Sequence, residues 1–174
     1  DDLQFGPYNV KATASHKDIT ISRKQSFSVR WGQHSAYLPD LNTAIEVLQY
    51  IADNDKYKEI SGLPPAQKRA ALENFWKERD PTPETKVNEL ENEFYKRVNF
   101  SNINFSLAGD GTEGWKTDRG EIYIIYGPPS KIERPSMNPA ASTRYELWHY
   151  QHLGKQFLFI DKYGSGNFRL LTEK

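Results

Sequence analysis

Side chains able to bind or to catalyse concentrate at two places in the chain. Six of them stand out: Arg79, Asp80, Trp115, Thr117, Asp118 and Arg119. Two carboxylates such as Asp80 and Asp118 could perform general acid–base chemistry if the fold held them at a defined separation. Trp115 beside a polar cleft could stack a sugar or a peptide. The same residue types also suit a structural corner, in which Thr117 and Asp118 accept backbone N–H bonds while Trp115 is buried in the core. We favour the structural interpretation.

Other catalytic and metal-binding patterns are missing from the sequence. It contains no Cys, no Gly-x-Ser-x-Gly, no Gly-Lys-Ser/Thr and no His-Glu-x-x-His. His149 and His152 come nearest to a ligand pair, but no carboxylate lies at matching spacing. Asp110, between two glycines, suits an ordinary turn better than a calcium loop. We therefore predict no catalytic residue, no metal site and no cofactor, and we favour a protein that is not an enzyme.

Composition narrows the class of protein. With 174 residues, 37% hydrophobic and 13% aromatic, the chain has enough large apolar side chains to fold as one domain, with or without an appendage. Lys and Arg number 23, as do Asp and Glu, so no net charge favours nucleic acid. No apolar run approaches the roughly 20 residues of a membrane span. We predict neither nucleic-acid binding nor a membrane span in this chain.

The first 31 residues alternate apolar and polar side chains with the period of two that is typical of strands. Polar turns at 17–18 and 22–25 would join three short strands. Such a small sheet is barely stable without a cover. We predict that 1–35 end an upstream β-sandwich-like domain, with docking on the following helices as the alternative. The apolar face comprises Ile19, Ile21, Phe27, Val29 and Trp31.

The spacing of apolar residues then changes to three and four, which predicts helices. The three predicted helices span 40–53, 64–79 and 86–104. Asp40 is a typical N-cap for the first helix, and Asn54-Asp55 is its predicted end. Two prolines at 64–65 suit the first turn of the second helix.

Short aromatic and β-branched runs follow and predict a C-terminal antiparallel sheet between 121 and 172. The predicted strands are 122–126, 145–150, 156–160 and 168–171. A long loop, 127–143, separates the first two. The predicted fold of 36–174 is thus α+β, with the helices packed on the sheet, and Phe75 and Trp76 buried against it.

The segment 114–120, between the predicted helices and the predicted sheet, suits a pair of tight turns. Gly114 and Gly120 would adopt positive φ in tight turns at either end of the segment 114–120. Arg79 would pair with a carboxylate, such as Asp118 or Glu89, and so fix a helix to this loop.

Gly114, Trp115, Thr117 and Asp118 resemble the motif that names the GWxTD-domain family of bacterial proteins. Residues 75–83, 145–148, 157–161 and 166–170 resemble further parts of that family, so the resemblance spans roughly 36–174. The resemblance implies a domain of unknown function in exported envelope proteins, often preceded by β-rich modules. It also implies a location outside the cytoplasm, in the periplasm or associated with the outer membrane.

Three functions follow as hypotheses. The favoured one is a non-catalytic interaction or scaffold module of a bacterial cell-envelope protein, whose partner is another protein or an upstream β-domain. The first alternative is a hydrolase-like enzyme that uses Asp118 and Asp80 in a polar cleft. The second is a carbohydrate-binding module that uses exposed aromatic residues. The aromatic candidates are Tyr123, Tyr145, Trp148, Tyr150, Phe157 and Phe159.

Overall fold

A computed structural model of the chain describes residues 6–16, 19–29, 40–134 and 143–173. In these ranges it has five α-helices, a two-stranded antiparallel sheet and a four-stranded antiparallel sheet. The predicted α+β class is therefore confirmed. None of the helices in these ranges has both the length and the apolar character that crossing a membrane requires.

The N-terminal strands form one long hairpin. Strand β1, Gly6–His16, pairs in register with β2, Ile19–Val29. The strand prediction is confirmed here, but the predicted turn at 22–25 is wrong because these residues continue β2. Every side chain described in the hairpin, at 9–15 and 20–26, is exposed, so polar residues are tolerated on both faces. Trp31 and the turn at 17–18 lie outside the described residues.

The first predicted helix, 40–53, corresponds to a shorter helix and a 3₁₀ turn, and the helix that follows them was not predicted. Helix α1, Leu41–Glu46, begins at Asp40, whose Oδ1 accepts the Thr43 N–H at 2.9 Å, as the N-cap prediction required. A 3₁₀ turn, Val47–Tyr50, follows it. The predicted end at Asn54-Asp55 is wrong, because Asp53 accepts the Lys56 N–H and caps a further helix, α2, Asn54–Ser61.

The next two helices lie close to their predicted positions. Helix α3 spans Pro65–Lys77, with proline in its first turn. Helix α4 spans Glu89–Phe105 and is capped by Asn88, whose side chain accepts the Glu91 N–H at 3.0 Å.

The predicted strand 122–126 is wrong, because these residues belong to helix α5, Asp118–Tyr126. Thr117 caps this helix by accepting the Gly120 N–H at 3.1 Å. Ile122 lies in one hydrophobic core and Ile124 in another. A short helix that is buried on two sides loses the clear 3.6-residue pattern, and its β-branched and aromatic residues then look like a strand.

The C-terminal sheet has the strand order β3-β4-β5-β6, with every neighbouring pair antiparallel. Its strands are Lys131–Glu133 (β3), Arg144–Tyr150 (β4), Lys155–Asp161 (β5) and Arg169–Glu173 (β6). The last three confirm the predicted strands. Strand β3 lies within the predicted loop 127–143, and β6 is an edge strand.

Two hydrophobic cores hold the structure together. The helical core contains Phe75, Trp76 and residues of α1, α4 and α5, and the sheet core contains buried aromatics of β4 and β5. The predicted packing of Phe75 and Trp76 on the sheet is therefore wrong. The end of α4 and helix α5 cover the sheet instead, through Phe105 and Ile122.

Candidate functional site

Backbone segments approach one another very closely at Gly114 and Gly120. A Cβ atom built on Gly114 would lie 1.9 Å from the carbonyl oxygen of Ser101 in α4. A Cβ atom on Gly120 would lie 1.9 Å from the carbonyl oxygen of Gly114. Neither glycine has a positive φ, so that prediction is wrong. Both positions need glycine because the backbones of α4, residues 114–116 and α5 are in direct contact.

Two side chains at the C-terminal end of α4 hold the turn Gly114–Lys116 in place, one from Asn102 in the helix and one from the C-cap residue Ser106. Ser106 Oγ accepts the Gly114 N–H at 2.8 Å, and Asn102 Oδ1 accepts the Trp115 N–H at 3.0 Å. Sequence reasoning missed both residues. The available signal was a pair of polar side chains four residues apart at the predicted end of the third helix, 86–104.

Trp115 belongs to the helical core and is only 2% exposed. The hydroxyl of Tyr50 donates to its backbone carbonyl at 2.9 Å, and the two rings meet edge to face. The ammonium of Lys116 lies 4.8 Å from the centroid of a Trp115 ring. Trp115 is thus a buried anchor, as the structural interpretation predicted, and offers no open face to a ligand.

Thr117 and Asp118 make the hydrogen bonds expected of a structural corner. Thr117 Oγ1 donates to the Gly114 carbonyl at 2.7 Å and accepts the Gly120 N–H. Asp118 Oδ2 accepts the backbone N–H of Leu170 in β6 at 2.6 Å, and Arg169 donates to Oδ1 at 3.2 Å. Thr117 therefore begins α5, while Asp118 fixes that helix to the edge strand of the sheet.

Arg119 extends from the motif into the sheet core, and its side chain is 12% exposed. Its guanidinium donates to the Gly166 carbonyl at 3.0 Å and lies 3.5 Å from Glu146 Oε2. The same group lies 4.2 Å from the ring centroid of Phe168. Burial lowers the pKa of Arg119, and the nearby Glu146 carboxylate partly opposes that effect.

Glu146 is the acid at the centre of this cluster, with a side chain that is 7% exposed. Besides Arg119, it accepts from Arg134 Nε at 2.9 Å and from Trp148 Nε1 at 3.1 Å. Sequence reasoning missed Glu146 and Arg134. The available signal was the spacing of two between Glu146 and Trp148, which places both on the inward face of β4.

Arg79 and Asp80 form hydrogen bonds with residues near them in sequence and not with the residues of the motif. Arg79 donates to the Phe75 carbonyl at 3.1 Å and lies over the Phe75 ring. It does pair with a carboxylate, but this is the neighbouring Glu78, at 3.6 Å, so the predicted partners Asp118 and Glu89 are wrong. Asp80 Oδ1 accepts the Thr82 N–H at 2.9 Å, a local bond of the kind predicted. No hydrogen bond joins Asp80 to Asp118, and each carboxylate fixes a different part of the backbone.

The two C-terminal histidines do not converge. His149 lies against Gln156 and Glu133, with Nε2 at 3.4 Å from the Glu133 carboxylate. His152 has its ring 6.3 Å from that of Tyr150. Within the described ranges, no group of three His, Cys, Asp or Glu residues could hold a metal ion.

Glu121, in the first turn of α5, and Tyr50, in the 3₁₀ turn after α1, lie near the motif and have raised pKa values. Burial, with a smaller contribution from Asp118, raises the pKa of Glu121. Burial, followed by the charges of Glu121 and Asp118, raises the pKa of Tyr50 to about 12. The folded protein therefore disfavours the ionised form of Glu121.

We expect Glu121→Gln to stabilise the protein at neutral pH and to have no effect near pH 4. A carboxyl whose pKa is raised by folding costs stability once the pH exceeds its ordinary value, and the cost is absent below it. The side chain is partly open to solvent, so the gain should be only a few tenths of a kcal/mol. Urea unfolding at both pH values measures it. An equal gain in stability at both pH values would contradict a cost that comes from the ionised form of Glu121.

We expect Asp118→Ala to destabilise the protein by about 1–2 kcal/mol, because the Leu170 N–H loses a charged acceptor. Asp118→Asn keeps an acceptor oxygen and should cost less. Glu84→Ala, which removes an exposed carboxylate from the loop after α3, is the matched control and should change stability by less than about 0.5 kcal/mol. Thermal unfolding of the three variants tests the expectation. An Asp118→Ala protein with an unchanged Tm would contradict a structural role.

Of three comparisons with known proteins, one found a match. The family model of the GWxTD domain matches residues 8–167, which include most of the hairpin, all five α-helices and strands β3 to β5 of the sheet. A search of curated proteins and a search of solved structures each found no match. The predicted boundary at residue 35 and the upstream domain stay predictions. The chain belongs to the GWxTD domain family, whose function is unknown.

Proposed function

We propose that this domain is a non-catalytic interaction module of a bacterial cell-envelope protein, and that the hairpin β1–β2 is its binding element. The observation that carries the proposal is the exposure of every described hairpin side chain, on both faces. Neither hydrophobic core contains a described hairpin residue. The hairpin therefore remains available to another protein.

The low stability of a two-stranded sheet favours its binding to a partner strand. An isolated hairpin is marginally stable in water, and no strand among the described residues pairs with either outer edge of this one. Val10 is 50% exposed and Ile21 is 68% exposed. Pairing with a further strand would satisfy the backbone N–H and C=O groups of an outer edge and cover these apolar side chains.

The contacts of the motif support a role without catalysis. Asp118 and Asp80 accept backbone N–H bonds, and Trp115 is buried. Asp118 joins α5 to the sheet, Trp115 fills the helical core, and Asp80 fixes the local turn after α3. The aromatic residues predicted for a carbohydrate platform are mostly internal, and four of them are buried: Trp148, Tyr150, Phe157 and Phe159.

We also propose a location outside the cytoplasm, in the periplasm or associated with the outer membrane. This part of the proposal rests on the resemblance to exported envelope proteins. Fractionation of the producing bacterium tests it, and recovery of the protein with cytoplasmic markers would contradict it.

Site-specific photo-crosslinking in the producing cell tests the interaction. A photoreactive amino acid replaces Val10 or Ile21 in the hairpin, and Lys86, in the exposed loop after α3, is the control position. We expect one discrete adduct from both hairpin positions and none from the control, with the partner identified by mass spectrometry and then reconstituted from purified proteins. Absence of hairpin adducts, or equal adducts at all three positions, would contradict the proposal.

A further inference from the structure

We propose that the outer edge of β2 binds an acidic β-strand of the partner protein, with two adjacent acidic residues placed beside Arg23 and Lys24. The inference rests on the proposed function and names the chemistry of the partner. It follows from the charges of the hairpin and from their register.

The hairpin strands are basic in a chain that is neutral overall. They contain Lys11, Arg23 and Lys24 and no Asp or Glu, whereas the whole chain has 23 residues of each charge sign. None of the three cations has a partner among the acidic residues in the described ranges. A positive field therefore surrounds the hairpin, and it favours an acidic partner.

The register places two of these cations against each other. Lys11 and Lys24 are directly opposite in the antiparallel pair, so their side chains share one face. Like charges in directly opposite positions destabilise a sheet. A carboxylate from an added strand would lie next to this pair and convert the repulsion into attraction.

The arrangement of the cations selects the edge. Arg23 and Lys24 are consecutive residues of β2, so their side chains extend from opposite faces of the hairpin. A strand added beside β2 would meet a cation on each face. A strand added beside β1 would meet Lys11 alone. Two adjacent acidic residues, which also extend to opposite faces, match the β2 edge.

The same charges disfavour pairing between two copies of the chain. Addition of one hairpin to another would bring the lysines and arginines of both together without an acid between them. Cations on edge strands protect natural sheets against such self-pairing. We therefore assign the edge to a different protein with an acidic strand.

The test uses the full chain and a fluorescent peptide of alternating Thr and Val residues with a central Glu-Asp pair. The comparison peptide has Lys-Lys at the centre. We expect only the acidic peptide to bind, as measured by fluorescence anisotropy, and we expect added salt to weaken the complex. Equal binding of the two peptides, or binding of neither, would overturn the proposal.

Charge reversal provides the second part of the test. The double substitution Arg23→Glu with Lys24→Glu should weaken binding of the acidic peptide by about tenfold or more, while Lys86→Glu should leave it within about twofold. The double variant places Glu opposite Lys11, so the hairpin should remain folded, which circular dichroism verifies. Unchanged binding by the double variant would overturn the proposed edge.

Two further outcomes separate this inference from the proposed function. Discrete crosslinks at Val10 and Ile21 without any binding of the acidic peptide would overturn the partner chemistry and leave the interaction module standing. Self-association of the parent chain in analytical ultracentrifugation, lost in the double variant, would overturn the choice of a different protein in favour of a second copy.

Discussion

Gly120→Ala and Gly114→Ala are each expected to destabilise the protein by about 3 kcal/mol or more. In both cases the added methyl group would lie 1.9 Å from a backbone carbonyl oxygen, a distance that no rotation of a side chain can relieve. Relief requires α4, the turn and α5 to separate. That movement would also break the hydrogen bond from the Thr117 hydroxyl to the Gly114 carbonyl.

Gly109→Ala is the matched control for these two variants. A Cβ atom at Gly109 would meet no atom within 4 Å, and its φ is not positive, so the substitution should change stability by less than about 0.5 kcal/mol. Chemical denaturation of the three variants measures the difference. If Gly120→Ala and Gly109→Ala unfolded at the same denaturant concentration, the close backbone contact would be wrong.

Glu146→Ala is expected to cost about 3 kcal/mol or more, because it leaves the buried Arg119 guanidinium without its carboxylate. The Trp148 N–H would lose its acceptor as well. Glu146→Gln keeps the size and an acceptor oxygen, so its effect should be smaller. Replacing one partner of a buried ion pair costs far more than replacing one partner of an exposed pair.

The control for this prediction is Glu133→Ala on the neighbouring strand β3. Glu133 pairs with Lys131 at 2.6 Å, but both side chains are open to solvent, so the loss should be within about 1 kcal/mol. Equilibrium unfolding in urea measures the free energy of unfolding of each variant. Equal losses for Glu133→Ala and Glu146→Ala would show that the buried cluster does not stabilise the fold as described.

Local sequence signals were sufficient for the elements with one buried face. Helix α3 and helix α4 have apolar residues at helical spacing, and α3 also has prolines at its start. Strands β4 and β5 alternate inward and outward residues, as a sheet covered on one face requires. These elements lie near their predicted positions.

Three of the failures have a common physical cause, which is contact with distant parts of the chain. Helix α5 lies between two cores, so its sequence pattern does not reveal which face is buried. Gly114 and Gly120 are needed because other backbone segments approach them, and sequence alone suggested only their freedom of φ. Glu146 is buried because Arg119, 27 positions away in sequence, reaches it through the fold.

The sequence was therefore sufficient to predict which residues form the candidate site, but only some of the contacts that they make. The sequence indicated that Trp115 is buried and that Thr117 and Asp118 accept backbone hydrogen bonds, and the structure has all three features. It did not indicate that the donor for Asp118 is in β6, because a partner 52 positions away depends on the order of strands.

The bond between Asp118 and Leu170 also bears on aggregation. Strand β6 is the edge of its sheet, and the Leu170 N–H is among the groups that could recruit an identical strand from another molecule. The Asp118 carboxylate occupies that donor, and its negative charge would repel an incoming carbonyl oxygen. The motif aspartate thus limits growth of the sheet at β6, so its loss would favour insoluble assembly as well as lower the free energy of unfolding.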